Sequence, residues 1–449
     1  MFHLKNAITP KSILKRSLLF ASIWPCALSY SAETPLLPEN RMPELAAILK
    51  AARIHAPDLI EQELIREEAE ARLKQAKSAY YPRLGVVTNL GYEKDYRDEG
   101  QEDTDNFGVT YMMALRRPIY HWGAIEAKVE QARIDNNSDQ LTYLKNLQQI
   151  ERNIRADYLT IILNNIALRN ERAKQAILEG RNETTRIKFE TGAISKLDYD
   201  RSQIDLAQSL LKIDRIAQSK KRIAERFQYL AGWENPTTSI AEIAPIDLNE
   251  TEAWLEQQQT QLHGSSWTYT TYSAARQINS IEHEKEEIIK IKARQRPLID
   301  ASATAKQGQS NTSNKNNVDT FSVFAGIRIT WNIFDGFNTK NAQIEAQAKV
   351  RRLEQELKQL SKELQMEASE VLDSLLFQVR NLRLIQAQHA TEEAQYRLEE
   401  GNTTSGRSTN LTLQDAALGL KTEEFAMHQA RADLLMGLSD YYDLVTPIR

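Results

Sequence analysis

The side chains that usually carry out catalysis are thinly spread in this chain of 449 residues, which has 7 histidines and 1 cysteine. The sequence contains no Walker loop for phosphate, no Gly-x-Ser-x-Gly nucleophile turn, no His-Glu-x-x-His zinc motif and no cysteine pair. His121 lies among aromatic residues at the end of a predicted strand, where a structural hydrogen bond is favoured over metal binding. We therefore expect no enzyme, no cofactor and no metal site.

The polar residues with the most informative spacing follow two glycine-containing turns. The first turn reads Phe189-Glu-Thr-Gly192-Ala-Ile-Ser195-Lys-Leu-Asp198. Because glycine tolerates a positive φ, Gly192 can end a helix, and Ser195 and Asp198 have the spacing of a capping box that starts the next helix.

The second turn contains Gly401 and Gly406, followed by Arg407. We predict that Gly401 ends one helix and that the next begins near residue 409 or 410, which makes this turn about five residues longer than the first. Asp415 falls near the start of that next helix, where the helix dipole favours a carboxylate.

Each turn joins helices that are longer than a globular core requires. No proline lies between Gly123 and Glu190, and Gly180 is the only glycine there, so about 65 residues can form one helix of roughly 100 Å. Apolar residues recur at three- and four-residue steps, as in a coiled coil. They include Leu147, Ile150, Ile154, Tyr158, Ile161 and Leu168 in the first copy, and Leu353, Leu357, Leu360, Leu364, Val371, Leu375 and Leu382 in the second. The charged faces between them are interpreted as solvated surface.

Four shorter segments alternate with the period of two that indicates β-strands. In the clearest one, Phe107, Val109, Tyr111, Met113 and Leu115 share a face. Phe324 is the exception in the last strand, because it falls on the face otherwise formed by small and polar residues. Aromatic residues lie near the strand ends, as they do where a membrane barrel meets lipid headgroups. Four strands cannot close a barrel, so several chains would share one; an ordinary sheet packed on helices is the alternative.

The whole pattern of strands and helices occurs twice, about 215 residues apart, which predicts two internal repeats. We place the first repeat at residues 32–232, with a strand hairpin at 83–119 and a long helical hairpin at 123–231. A linker, 233–265, with short elements at most, leads to the second repeat at 266–442. This has a strand hairpin at 298–334 and a helical hairpin at 338–440, and residues 443–449 form a tail.

Residues 1–31 have the organisation of a secretory signal peptide: basic residues, then an apolar stretch from Ser17 to about Leu28, then small residues. That stretch is shorter than the ~20 residues of a spanning helix. Cleavage would remove Cys26 and change the formal charge from −4 to about −8, which disfavours nucleic-acid binding.

Later in the chain no run approaches 18 apolar residues, and the mean hydropathy is −0.53, so transmembrane helices are not expected.

Taken in order, these motifs resemble the TolC-type outer-membrane efflux proteins over nearly all of the mature chain. The matching segments are Ala51-Ala-Arg-Ile-His-Ala-Pro57-Asp58-Leu59, Ala79-Tyr-Tyr-Pro82, Trp331-Asn-Ile-Phe-Asp335-Gly336-Phe and the first turn described above. No single motif is specific, but their duplicated order around strands and long helices is.

The resemblance implies a mainly α-helical fold in which long coiled-coil hairpins form a periplasmic α-barrel. Four strands per chain would contribute to a twelve-stranded β-barrel of a homotrimer in the outer membrane. Such proteins are passive exit ducts that dock through a periplasmic adaptor, or membrane fusion protein, to an inner-membrane pump of the RND, ABC or MFS type. The tips of the helix pairs close the tunnel.

The resemblance also assigns roles to the turn residues. If the tips point inward, three copies each of Asp198 and Asp415 would form acidic rings at the narrowest point, favouring cations. Local helix capping explains both residues equally well. Aligned on Gly406, Thr412 occupies a position where relatives often carry aspartate. Arg407 is a candidate latch to a neighbouring helix, with a solvated turn residue as the alternative.

Two other classes of protein compete with the duct. A periplasmic coiled-coil adaptor or structural protein should have one hairpin flanked by small β domains, whereas this chain has two hairpins and two strand pairs. A secreted enzyme would need clustered polar residues. The cargo, the pump and the adaptor are left open.

Overall fold

The computed structural model describes residues 37–95, 104–232, 242–262, 265–311 and 317–446. The predicted signal peptide, most of the acidic loop between the first two strands and part of the linker lie outside these residues. The helices are α1 (Pro38–Arg41), α2 (Pro43–His55), α3 (Pro57–Lys77), α4 (Ala124–Glu190), α5 (Lys196–Ala231), α6 (Leu248–Gln261), α7 (Tyr272–Ala293), α8 (Asn338–Thr404) and α9 (Asn410–Val445). The strands are β1 (Arg83–Asp95), β2 (Thr104–Tyr120), β3 (Leu298–Asn311) and β4 (Asn317–Thr330).

The two long helical hairpins confirm the predicted internal repeats. Helices α4 and α8 each have 67 residues, and their partners α5 and α9 each have 36. In each repeat a strand pair precedes the long helix, and the shorter helix packs back along it. The fold is therefore mainly helical, with one sheet at the end of the hairpins opposite to their tips.

The sheet has the order β1-β2-β3-β4 with antiparallel neighbours, so the β2–β3 pair joins the two repeats. The predicted alternation is confirmed by the register, in which Val86, Met113, Ala305 and Val323 lie side by side on one face. Large apolar side chains on this face are open to solvent in the single chain: Leu84 is 63% exposed and Phe321 70%. An apolar face of this size requires a covering phase or partner.

The hydrophobic core lies around the middle of the long helices. Here α2 and α6 pack against the long helices, and Tyr158, Phe227, Leu255 and Leu435 are almost completely buried. Helix α6 lies within the predicted linker and, at 14 residues, is longer than expected there. It begins where the carboxylate of Asp247 accepts two backbone N–H groups as a local cap, and its glutamines are good helix formers.

Each long helix is joined to its strand pair by two successive residues with positive φ. They are Trp122 (55°) and Gly123 (82°) in the first repeat, and Gly336 (64°) and Phe337 (67°) in the second. A left-handed conformation costs a residue with a side chain about 1–2 kcal/mol, so packing must compensate. The Trp122 indole does so by donating to the carbonyl of Pro297 (2.9 Å).

Candidate functional site at the helical tips and the hairpin seam

The first tip turn places Asp198 in a local cap. Gly192 has a φ of 73° and follows the end of α4. The hydroxyl of Ser195 accepts the Asp198 N–H (3.2 Å) and donates to the Asp198 carboxylate (2.7 Å). Asp198 is exposed, so its charge is both a cap of α5 and open to the surroundings of the tip.

The second tip turn corrects the prediction made for Gly401. Helix α8 continues through Gly401 to Thr404, and the positive φ (72°) occurs at Gly406. The two turns therefore have the same length, residues 191–195 and 405–409. Gly401 stays helical because glycine makes a helix less stable but does not end it. Thr409 caps α9 by accepting the Thr412 N–H (3.3 Å), so Thr412 stands where Asp198 stands in the first repeat.

Asp415 is held in an ion pair that crosses between the two hairpins. The Arg181 guanidinium of α4 donates to the Asp415 carboxylate of α9 (2.6 Å) and to the Gln414 amide oxygen (3.3 Å). Arg407 is exposed, and no ion pair of its side chain is found within the described part of the chain. The structure thus brings Asp415 together with Arg181, a residue that the sequence interpretation did not select, and leaves Asp198 and Arg407 apart from it.

The Arg181–Asp415 pair is the outermost of a series of polar contacts along the seam between α4 and α9. Asn170 donates to the Lys421 carbonyl (3.0 Å), and Arg169 pairs with Glu424 (3.3 Å). Nearer the core, Arg152 pairs with Asp440 (2.6 Å). At every ionic step the cation is an arginine of α4 and the anion a carboxylate of α9, which fixes the register of the two repeats.

At the core end of this seam, Arg155 is only 4% exposed and lies among acids. It donates to Glu39 (2.6 Å) and to the Ser439 hydroxyl (3.3 Å), with Glu151 at 3.7 Å and Asp443 at 4.0 Å. Burial raises the pKa of Asp443 to about 7, and the nearby Arg155 opposes that rise. Our interpretation of the charged helix faces as solvated surface is therefore wrong for Arg155, because several carboxylates compensate its buried charge.

The polar face of the sheet holds His121 and Asp300 at the base of the strands. The buried carboxylate of Asp300 accepts from Arg116 Nε (2.9 Å) and lies 2.9 Å from His121 Nε2. This is the structural hydrogen bond expected for His121. Among the described residues no group of three or more His, Cys, Asp or Glu side chains is arranged to hold a metal ion.

The described helices include none that is both long enough and apolar enough to cross a membrane.

Comparison with known proteins gives a match to a family model over part of the chain and a shared fold over most of it. Residues 48–232 match the family model described as outer membrane efflux protein. The outer membrane channel CmeC of Campylobacter jejuni has a TM-score of 0.71 at 12% identity, with 89% of this chain and 85% of that chain covered. The outer membrane protein VceC of Vibrio cholerae has a TM-score of 0.69 at 14% identity, with 91% of this chain and 98% of that chain covered. A membrane protein of Pseudomonas aeruginosa has a TM-score of 0.69 at 14% identity, with 89% of this chain and 90% of that chain covered.

No curated protein sequence matches the chain. The fold of long helical hairpins with a four-stranded sheet is shared with these solved structures over about nine-tenths of the chain. The resemblance and the fold class inferred from the motifs are confirmed.

Proposed function

We propose that this chain, whose residues 48–232 match the outer membrane efflux protein family, belongs to that family. On this premise, it is the exit duct of a tripartite efflux pump or of a type I secretion system. It would conduct substrates passively from an inner-membrane transporter across the periplasm and the outer membrane. It would receive them through a periplasmic adaptor.

The observation that carries this proposal is the four-stranded sheet with one exposed apolar face. Its edge strands β1 and β4 have no partner strand among the described residues of the single chain. In a membrane each unpaired backbone group costs several kcal/mol, so the edges must pair with other chains. Three copies supply twelve strands, an even number within the range found for closed outer-membrane barrels. The apolar face would then contact lipid.

The helical hairpins continue this duct away from the membrane. Helices α4 and α8 begin next to the sheet and run 67 residues to their tips, and at 1.5 Å per residue each spans roughly 100 Å. Three copies of the two hairpins would enclose a tunnel whose tips meet an adaptor and a pump. The tips are the natural place to open and close it.

We assign different roles to the tip residues. Asp415 would hold the two hairpins together through Arg181, whereas Asp198, exposed and bonded only within its own cap, would present its charge to the pore. Arg407, exposed at the second turn, is the candidate contact to a neighbouring protomer. Gly192 and Gly406 would allow the sharp reversals that bring these side chains to the tip.

The test begins with the oligomeric state of the protein extracted from outer membranes in mild detergent. Its mass, after subtraction of the detergent, should be that of a trimer, and the trimer should conduct ions in planar bilayers. Affinity purification after crosslinking should then recover an adaptor and a pump. A detergent-independent soluble monomer or dimer would refute the duct and favour a periplasmic coiled-coil protein.

A further inference from the structure

The two faces of the sheet differ sharply in the charge they carry. On the apolar face, the layers read Leu84, Leu115, Ala303 and Ala325, then Val86, Met113, Ala305 and Val323. On the opposite face they read Arg83, Arg116, Ser302 and Gly326, then Gly85, Ala114, Thr304 and Phe324, then Val87, Met112, Lys306 and Ser322. Because lipid requires the apolar face, the second face must line the lumen of a barrel.

Charged residues on this lumen face are mostly cationic. Where the structure describes side chains, the face carries Arg83, Arg116, Lys306 and Arg328, against a single carboxylate, Asp300. A solvated face on an acidic protein would be expected to carry both signs. Among the side chains of this face that the structure describes, positive charge is therefore in excess.

The described carboxylate of this face does not neutralise the remaining cations. Asp300 is fully buried and is bonded to Arg116 and to His121. Arg83, Lys306 and Arg328 are exposed, and the described residues offer their side chains no hydrogen bond or ion pair. Three such cations per protomer would place nine in the lumen of a trimer.

An aromatic ring lies between the cationic layers. Phe324 occupies the layer between that of Arg83 and that of Lys306, on a face otherwise lacking aromatic side chains among the described residues. A Cβ at Gly326 would lie 3.1 Å from the Phe324 ring, so the ring lies along its own strand over this glycine. The lumen therefore offers an apolar surface with positive charge on both sides of it.

We infer that the lumen of the barrel favours organic anions, that is, solutes with a negative group attached to an apolar body. Rings of like-charged side chains select ions of opposite sign, and a channel with low-dielectric walls strengthens their field. This inference rests on the proposed trimeric duct, because only closure of the sheet turns its polar face into a lumen. It gives the duct a substrate class that the acidic tips do not indicate.

The first experiment measures the permeability ratio of chloride to potassium for the purified trimer in planar bilayers under a potassium chloride gradient. The triple variant Arg83→Gln, Lys306→Gln and Arg328→Gln should lower this ratio at least about threefold, the factor for one kT of potential. Arg117→Gln is the matched control, because Arg117 neighbours Arg116 in β2 but lies on the apolar face with Ala301. It should leave the ratio unchanged.

The second experiment tests the aromatic surface with 1-naphthalenesulfonate added from the barrel side. It should block the chloride current at concentrations at which inorganic sulfate does not. Phe324→Ser should weaken this block at least about threefold without changing the permeability ratio. Equal block of the two proteins would overturn the role of Phe324.

The outcomes separate this inference from the proposed function. A wild-type protein that forms no trimer or conducts no ions would refute the duct itself. A conducting trimer whose permeability ratio is the same in the triple variant, or changes equally in Arg117→Gln, would overturn the anion preference alone. If the triple variant does not assemble, Lys306→Gln decides, because this exposed lysine has no described contact to lose and should still lower the ratio.

Discussion

Replacing Arg181 by alanine should loosen the closed tip of the duct. Arg181 and Asp415 form the described ion pair of the α4–α9 seam that lies nearest to the tip turns. Beyond this pair, the hydrogen bonds and ion pairs of the described residues lie within one hairpin or the other, such as the Ser195–Asp198 cap in the first and the Ser408–Glu399 hydrogen bond (2.6 Å) in the second. Separation of the tips must therefore break the Arg181–Asp415 pair first.

The expected magnitude follows from the exposure of the pair. The Arg181 side chain is 27% exposed and that of Asp415 59%, so the pair is screened by water. Pairs of this kind contribute about 0.2–1 kcal/mol each. If the three tips of a trimer open together, the loss is about 0.6–3 kcal/mol, which raises the ratio of open to closed tips roughly threefold to 150-fold.

Single-trimer conductance in planar bilayers measures this ratio as the fraction of time spent in the high-conductance state. Arg186→Ala is the matched control, because Arg186 is a solvent-exposed arginine of the same tip that pairs with Glu183 (2.6 Å) and Glu190 (2.7 Å) on its own helix. It should change the open fraction little. The charge exchange Arg181→Asp with Asp415→Arg should restore closure.

Two results would refute this reasoning about the tip. One is an equal change of the open fraction in Arg181→Ala and Arg186→Ala, which would reduce the effect to a general loss of positive charge. The other is a failure of the charge exchange to restore closure in a correctly assembled trimer, which would mean that the pair itself does not hold the hairpins.

Three further predictions use the apparent thermal midpoint of the detergent-extracted protein. Gly401→Ala should stabilise the protein by up to about 1 kcal/mol per protomer because Gly401 is helical. Gly406→Ala should destabilise it by about 1–2 kcal/mol because the φ of Gly406 is positive. Equal changes of the thermal midpoint in these two variants would contradict the boundary of α8. Because the folded-state pKa of Asp443 is raised to about 7, ionising its carboxyl group costs stability, and this cost grows as the pH rises from about 4 to 7. Asp443→Asn should therefore stabilise the protein by at most about 4 kcal/mol at pH 8 and by much less at pH 5. A change of the thermal midpoint that is independent of pH would contradict this role of Asp443. Phe227→Ala should cost about 3–5 kcal/mol because the ring is completely buried in the core, while alanine at the exposed neighbour Tyr229 should cost less than about 1 kcal/mol; similar losses would contradict the position of the core.

Periodicity predicted the elements of the fold because it reports directly which face of each element is buried. The period of two in β2 and the three- and four-residue steps around Ile154 are local properties of the chain, and both were confirmed. Duplication added the arrangement, since a repeated pattern implies two equivalent hairpins. The boundary at Gly401 was wrong because the sequence does not show which of two nearby glycines adopts a positive φ.

The sequence by itself determined that the chain has two strand pairs with one apolar face each and two hairpins of very long helices, because those features depend on residue spacing alone. Only the tertiary structure decided which charges meet. Arg181 and Asp415 are far apart in the chain, as are Arg155 and Asp443. In the sequence, the segments around these residues look like any charged helix face that is exposed to solvent. The register between α4 and α9 brings each pair together, and no local pattern encodes that register.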